Sequence, residues 1–110
     1  LPGRPSTVYS MTKGALNLFT QSLAFEAGSA GVRVNAIAPG MVETPQLLRN
    51  VSAMPPEAQE QMKQNASALI PLGRIGNVDD IGRAAAFLAS DAAAWVTGAV
   101  LSVDGGVTTH

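Results

Sequence analysis

Residues 32–40 run V-R-V-N-A-I-A-P-G. The β-branched and small apolar residues over 32–38 predict a short strand, and Pro39-Gly40 closes it, because strands are depleted in both residue types. Upstream, apolar residues at Met11, Ala15, Leu18, Phe19, Leu23 and Phe25 approximate the 3.6-residue period of a helix from about residue 6 or 7 to Ala27. Gly28 and Gly31 supply its stop, since glycine takes the left-handed conformation that ends helices. Leu16 and Phe25 widen the apolar stripe, so both sides of this helix are expected to pack against something. Downstream, inside a substrate flap expected over 46–70, residues 46–69 predict two weaker helical stretches, with Pro55-Pro56 starting the second. Its apolar residues Ala58, Met62, Ala66 and Leu69 form a thin stripe, which predicts a surface flap rather than a core helix. Residues 71–74, P-L-G-R, are expected to turn. Asn77 is a candidate N-cap, with Asp79 and Asp80 placed where the helix dipole favours acids. The helix it starts carries Val78, Ile81, Ala84, Ala85 and Leu88 at helical spacing and is expected to end near Ser90. A second strand over 99–103 is bounded by Gly98 and by Asp104-Gly105-Gly106.

The order is therefore helix, strand, helical flap, helix, strand. A strand, a helical crossover and another apolar strand make a βαβ unit with parallel strands, which places the chain in the α/β class. Its 110 residues are 46% hydrophobic and 14% charged with a formal net charge of −1, which excludes a solvated disordered chain. No cluster of Lys and Arg leaves a footprint for nucleic acid or an anionic membrane. The longest uncharged runs, 14–25 and 92–103, are too short for a membrane span. With no Cys, a disulfide framework, a thiolate metal site and a cysteine nucleophile are excluded, and a cytoplasmic location fits. The single histidine, His110, is the last residue, and no metal site is expected.

The chemistry-bearing pair is Tyr9 and Lys13, which the i, i+4 spacing puts on one face of the first helix, one turn apart. A phenol ordinarily titrates near 10, too high for ready proton exchange at neutral pH. A fixed ammonium nearby favours the phenolate, the direction that general acid-base work requires. The pair alone is a common chance pattern. Its setting is not. Y-S-M-T-K-G-A-L at 9–16, V-R-V-N-A-I-A-P-G-M-V-E-T-P at 32–45, P-L-G-R at 71–74 and V-T-G-A-V-L-S-V-D-G-G at 96–106 follow in order. In this the chain resembles the C-terminal half of a short-chain dehydrogenase/reductase of the compact, non-extended branch, and the resemblance covers essentially all of it.

The resemblance implies a C-terminal portion of a Rossmann-like doubly wound parallel sheet, with residues 1–110 forming one partial domain. It implies a hydride transfer between NAD or NADP and a carbonyl or secondary alcohol. Tyr9 would be the proton donor and acceptor. Lys13 would tune Tyr9 and hold the nicotinamide ribose. Pro39 and Gly40 would shape the loop beside the nicotinamide, and Val42 and Thr44 match positions that meet the carboxamide and its surroundings. The partners implied are a small-molecule substrate and further copies of the chain, as a homodimer or homotetramer.

The sequence also departs from the family pattern. No G-x-G-x-x-G or G-x-x-x-G-x-G loop for the pyrophosphate is present. Only eight residues precede Tyr9, so the family's catalytic serine and relay asparagine have no counterpart. The chain is thus expected to be part of a longer oxidoreductase. The alternative is a non-catalytic packing or oligomerisation module, inactive as an isolated chain. Among other residues, Asn35 is expected to be a structural hydrogen-bonding group, Asp104 a turn carboxylate, and Trp95 a packing or subunit contact. Leu47, Leu48, Met54 and Met62 either line an apolar substrate site or pack the flap on itself.

Overall fold

A computed structural model describes residues 7–109. The expectations for a loop over residues 1–5, for Ser6 as a helix start and for His110 lie outside these residues. The described elements are α1 (Thr7–Ala27), β1 (Ala36–Pro39), α2 (Pro45–Ser52), α3 (Pro56–Leu69), α4 (Val78–Ala89) and β2 (Val100–Val103), with single 3₁₀ turns at Gly28–Ala30, Asp91–Ala93 and Val107–Thr109. Strands β1 and β2 pair in a two-stranded sheet. Gly98 N–H bonds Val34 O, Ala36 N–H bonds Ala99 O, and Gly40 N–H bonds Val103 O, so the partners advance together and the strands are parallel.

The chain divides into two compact units. The first contains the residues up to Ala36 together with Ser90–Leu101. Here α1 ends as its glycines require. Gly31 sits at φ 75°, and its N–H returns to Gly28 O at 3.0 Å. Thr20 and Ala24 are the buried residues of α1. A Cβ placed on Gly98, itself at φ 72°, would lie 3.4 Å from Ala24 Cβ, so helix and segment are in close contact there. The predicted burial of both sides of α1 is not met within the described chain: Phe19 is 60% exposed and Phe25 90%.

The strand predicted over 32–38 begins later, at Ala36. Over the preceding residues, side-chain bonds stand beside the Gly98–Val34 backbone bond. Thr97 Oγ1 accepts Val34 N–H at 3.0 Å, while Asn35 donates from Nδ2 to Val96 O and accepts Ala99 N–H at Oδ1, each at 3.0 Å. Asn35 is therefore the structural group the sequence suggested. The Arg33 guanidinium adds bonds to Val96 O and Ser90 O.

The second unit contains Ile37–Ala89 and the residues from Ser102 onward. Thr44 caps α2: its Oγ1 accepts Leu47 N–H, and Pro45 stands at the first helical position, where a missing N–H costs nothing. The chain breaks over residues 53–55, and Pro56 opens α3. Contrary to an entirely superficial segment, Ala66 is buried, and so is Ile70 just beyond the helix. α4 starts on a reciprocal box, in which Asp80 N–H bonds Asn77 Oδ1 and Asn77 N–H bonds Asp80 Oδ2. Gly105 and Gly106 both lie at positive φ, 64° and 95°. A Cβ on Gly105 would come within 2.5 Å of Ile70 Cγ2, so this turn packs directly on the end of α3.

Candidate active site

In the first unit, α1 brings Tyr9 and Lys13 together. The Lys13 ammonium lies 5.5 Å from the centroid of the Tyr9 ring, within the range of a cation–π contact. Thr12 Oγ1 donates to Tyr9 O at 2.8 Å, a bond one turn back along the helix. The Tyr9 side chain is half exposed, so its phenol is reachable by a small molecule.

The second unit holds Pro39, Gly40, Val42 and Thr44, and each has a defined local role. Gly40 donates to Val103 O at 3.0 Å, and a Cβ there would meet Asp104 Cα and Cβ at 2.7 Å, so no other residue fits without moving the backbone. Val42 forms a parallel bridge with Gly76. Around it, Gly76 N–H bonds Met41 O at 3.0 Å and Glu43 N–H bonds Gly76 O at 2.8 Å. Thr44 closes the loop by starting α2. A threonine hydroxyl that accepts one N–H still has its own O–H to donate, which leaves Thr44 able to meet an external acceptor.

Two carboxylates organise turns in this unit. Asp104 is the turn carboxylate expected from the sequence: it accepts from Thr108 Oγ1 at 2.7 Å, Gly106 N–H at 2.9 Å and Thr108 N–H at 3.2 Å. The Thr108 hydroxyl, followed by the Gly106 N–H, holds its carboxyl below the usual range. Asp80 is paired with Arg74, Nη1 to Oδ2 at 2.7 Å and Nη2 to Oδ1 at 3.1 Å. The Arg74 hydrogen bond, then the Asn77 N–H, lowers Asp80 from 3.8 to about 2. Sequence reasoning found Asp80 only as a helix-start acid and Arg74 only as part of a turn. The N-x-x-D pattern from Asn77 signals the box; the ion pair across the turn has no local signature.

A cavity of about 570 Å³ opens in the same unit. Pro39, Gly40 and Met41 form one part of its wall, and Ala58, Met62 and Ala66 of α3 another. Of the four flap residues proposed from sequence to line an apolar site, Met62 does so, while Leu47, Leu48 and Met54 are not among its walls. Trp95 is 98% exposed. Among the described residues, no three His, Asp or Glu side chains gather in a set that could hold a metal, and no helix is long and apolar enough to cross a membrane.

Over residues 2–108 the chain matches the family described as Enoyl-(Acyl carrier protein) reductase. It is 47% identical over 104 residues to 3alpha-hydroxysteroid dehydrogenase of Mediterraneibacter gnavus, covering 94% of this chain and 38% of that protein. With versicolorin reductase 1 of Dothistroma septosporum the identity is 42% over 103 residues, covering 90% of this chain and 39% of the relative. Among solved structures, an oxidoreductase of the short-chain dehydrogenase/reductase family from Burkholderia thailandensis matches with a TM-score of 0.80 at 40% identity, over 94% of this chain and 38% of that one. The chain spans about two fifths of the length of these relatives. Its parallel strand pair, its helix order and its ordered motifs are those of a Rossmann-like α/β fold in part, and the chain belongs to the short-chain dehydrogenase/reductase family.

Proposed function

We propose that this chain supplies the proton-handling and nicotinamide-side part of an oxidoreductase that moves a hydride between NAD or NADP and a carbonyl or secondary alcohol. The observation that carries this reading is the Lys13 ammonium standing 5.5 Å from the Tyr9 ring on one helix face. The nicotinamide, when bound, supplies or accepts the hydride. In the reducing direction, Tyr9 passes its phenolic proton to the substrate oxygen as the carbonyl carbon gains the hydride, and the product is the alcohol. In the oxidising direction, the Tyr9 oxygen takes the hydroxyl proton as the hydride leaves the same carbon. The N–H groups of Lys13 suit a ribose hydroxyl. Pro39 and Gly40 line the cavity, and at Gly40 there is no side chain to keep a flat ring at a distance. Val42 and Thr44 follow in the same loop, and the Thr44 O–H suits a carboxamide oxygen. The apolar residues of α3 across the cavity, Met62 among them, favour an apolar substrate.

Exposed Phe25 and Trp95, both in the first unit, favour a second reading in which the chain acts as a packing or oligomerisation module. The two readings separate on one substitution. In the full-length protein, Tyr9→Phe is expected to lower turnover by about 10²–10⁴-fold, the range of a lost acid-base group, with dinucleotide binding changed little. Steady-state kinetics and a cofactor titration measure both, and retained turnover would remove Tyr9 from its role.

A further inference from the structure

We propose that Arg74 and Asp80 are positioning residues for the loop at residues 39–44, acting through the backbone of Gly76. The inference rests on the reading of that loop as the cofactor side of the site. An exposed ion pair contributes little to stability by itself, whereas a two-bond guanidinium–carboxylate fork fixes orientation. Here the fork does not stand alone. The Asp80 carboxylate accepts both Arg74 nitrogens and the Asn77 N–H, and the Asn77 side chain accepts Asp80 N–H in return. Arg74 Nη1 also donates to Ile75 O at 3.3 Å. These bonds tie residues 74, 75 and 77 to the first turn of α4, and Gly76 lies between them.

Gly76 turns this rigidity toward the loop. Its N–H and C=O are both used there, on Met41 O and Glu43 N–H. The bridge partner is Val42, the central residue of the stretch. A Cβ built on Gly76 would lie 3.5 Å from Asp80 Oδ2, 3.5 Å from Met41 O and 3.8 Å from Val42 Cγ2. Asp80 and the loop thus both border Gly76, and the coupling between them runs through the hydrogen bonds of its backbone. The remaining ends of the loop are pinned separately, Gly40 on Val103 O and Thr44 as the cap of α2. The Arg74–Asp80 fork is thus the one side-chain clasp, among the described residues, that reaches the middle of the loop through Gly76.

The test uses the full-length protein and two readouts on Arg74→Met and Arg74→Lys. Amide hydrogen exchange follows Gly76 and Glu43 against Ala24 of α1, and kinetics separate the KM for the dinucleotide from kcat. Arg74→Met is expected to speed exchange at Gly76 and Glu43 by about tenfold or more while leaving Ala24 unchanged, as local opening does. It is also expected to raise the dinucleotide KM by about three- to tenfold with kcat changed less than about twofold. Arg74→Lys keeps the charge without the fork and is expected to lie nearer Met than the wild type. Unchanged exchange at Gly76 and Glu43 overturns the proposal, and so does a uniform rise that includes Ala24. A selective rise with an unaltered dinucleotide KM upholds the clasp and instead removes the cofactor role assigned to residues 39–44.

Discussion

At the scale of single residues, the glycines and carboxylates of the second unit have roles that their neighbours define. Gly105 sits at φ 64°, where a side chain costs about 1–2 kcal/mol. Its missing Cβ would stand 2.5 Å from Cγ2 of Ile70, which is only 4% exposed and so has little room to turn away. Gly105→Ala is expected to lower stability by about 2–4 kcal/mol in urea denaturation, combining the backbone and overpacking costs. Gly82, inside α4 with no atom of the described residues within 4 Å of its Cβ position, is the control. There the alanine variant is expected to gain up to about 1 kcal/mol, because the helix favours it and no atom opposes it. Equal effects at the two sites would contradict this account of the V-D-G-G turn. The D-G-G signal was legible in the sequence as a turn; the partner that makes Gly105 irreplaceable, Ile70, was not, because it lies on another element.

At the scale of elements, α4 begins on a titratable device. Asp80 falls from 3.8 to about 2 in the folded chain, held first by Arg74 and then by the Asn77 N–H. A carboxylate with a depressed folded value contributes stability that is complete above its unfolded value and is lost as pH falls. The window for Asp80 is therefore from about pH 4 down to about pH 2. Asp80→Asn is expected to make the acid limb of the stability curve shallower there, with the Asp104 contribution remaining, and to leave the slope above pH 5 unchanged, as read by urea midpoints at successive pH values. An undiminished acid limb would show that Asp80 does not carry it. Element boundaries divide in the same physical way between legible and hidden. The span of α1 and the start of α4 were open to sequence reading, because periodicity, glycine stops and an N-cap act locally. The start of β1 was hidden, because the side chains of Asn35 and Thr97 bond backbone groups of residues more than sixty positions away. The cavity wall was half legible for a similar reason. Met62 lines the cavity from α3 together with Ala58 and Ala66, whereas Leu47 and Leu48 belong to α2 and Met54 lies in the break between the two helices.

At the scale of the whole molecule, the family assignment came from motif order, which composition and periodicity alone do not supply. The chain spans about two fifths of its relatives, and α1 carries large apolar side chains that no described part of the chain covers. The proposed enzyme therefore needs surfaces beyond these to enclose Tyr9 and Lys13, from other parts of the protein or from further copies. On the proposed reading, what the chain brings to that assembly is a pair of residues, Tyr9 and Lys13, acting as one proton-transfer unit. The most direct test is the kcat of the full-length protein with Tyr9→Phe, Lys13→Met and both together. Groups that act as a unit give strongly non-additive losses, so the double variant is expected to be no slower than the worse single variant within about twofold. Independent, multiplying losses, or a Tyr9→Phe protein that turns over like the wild type, would contradict the account.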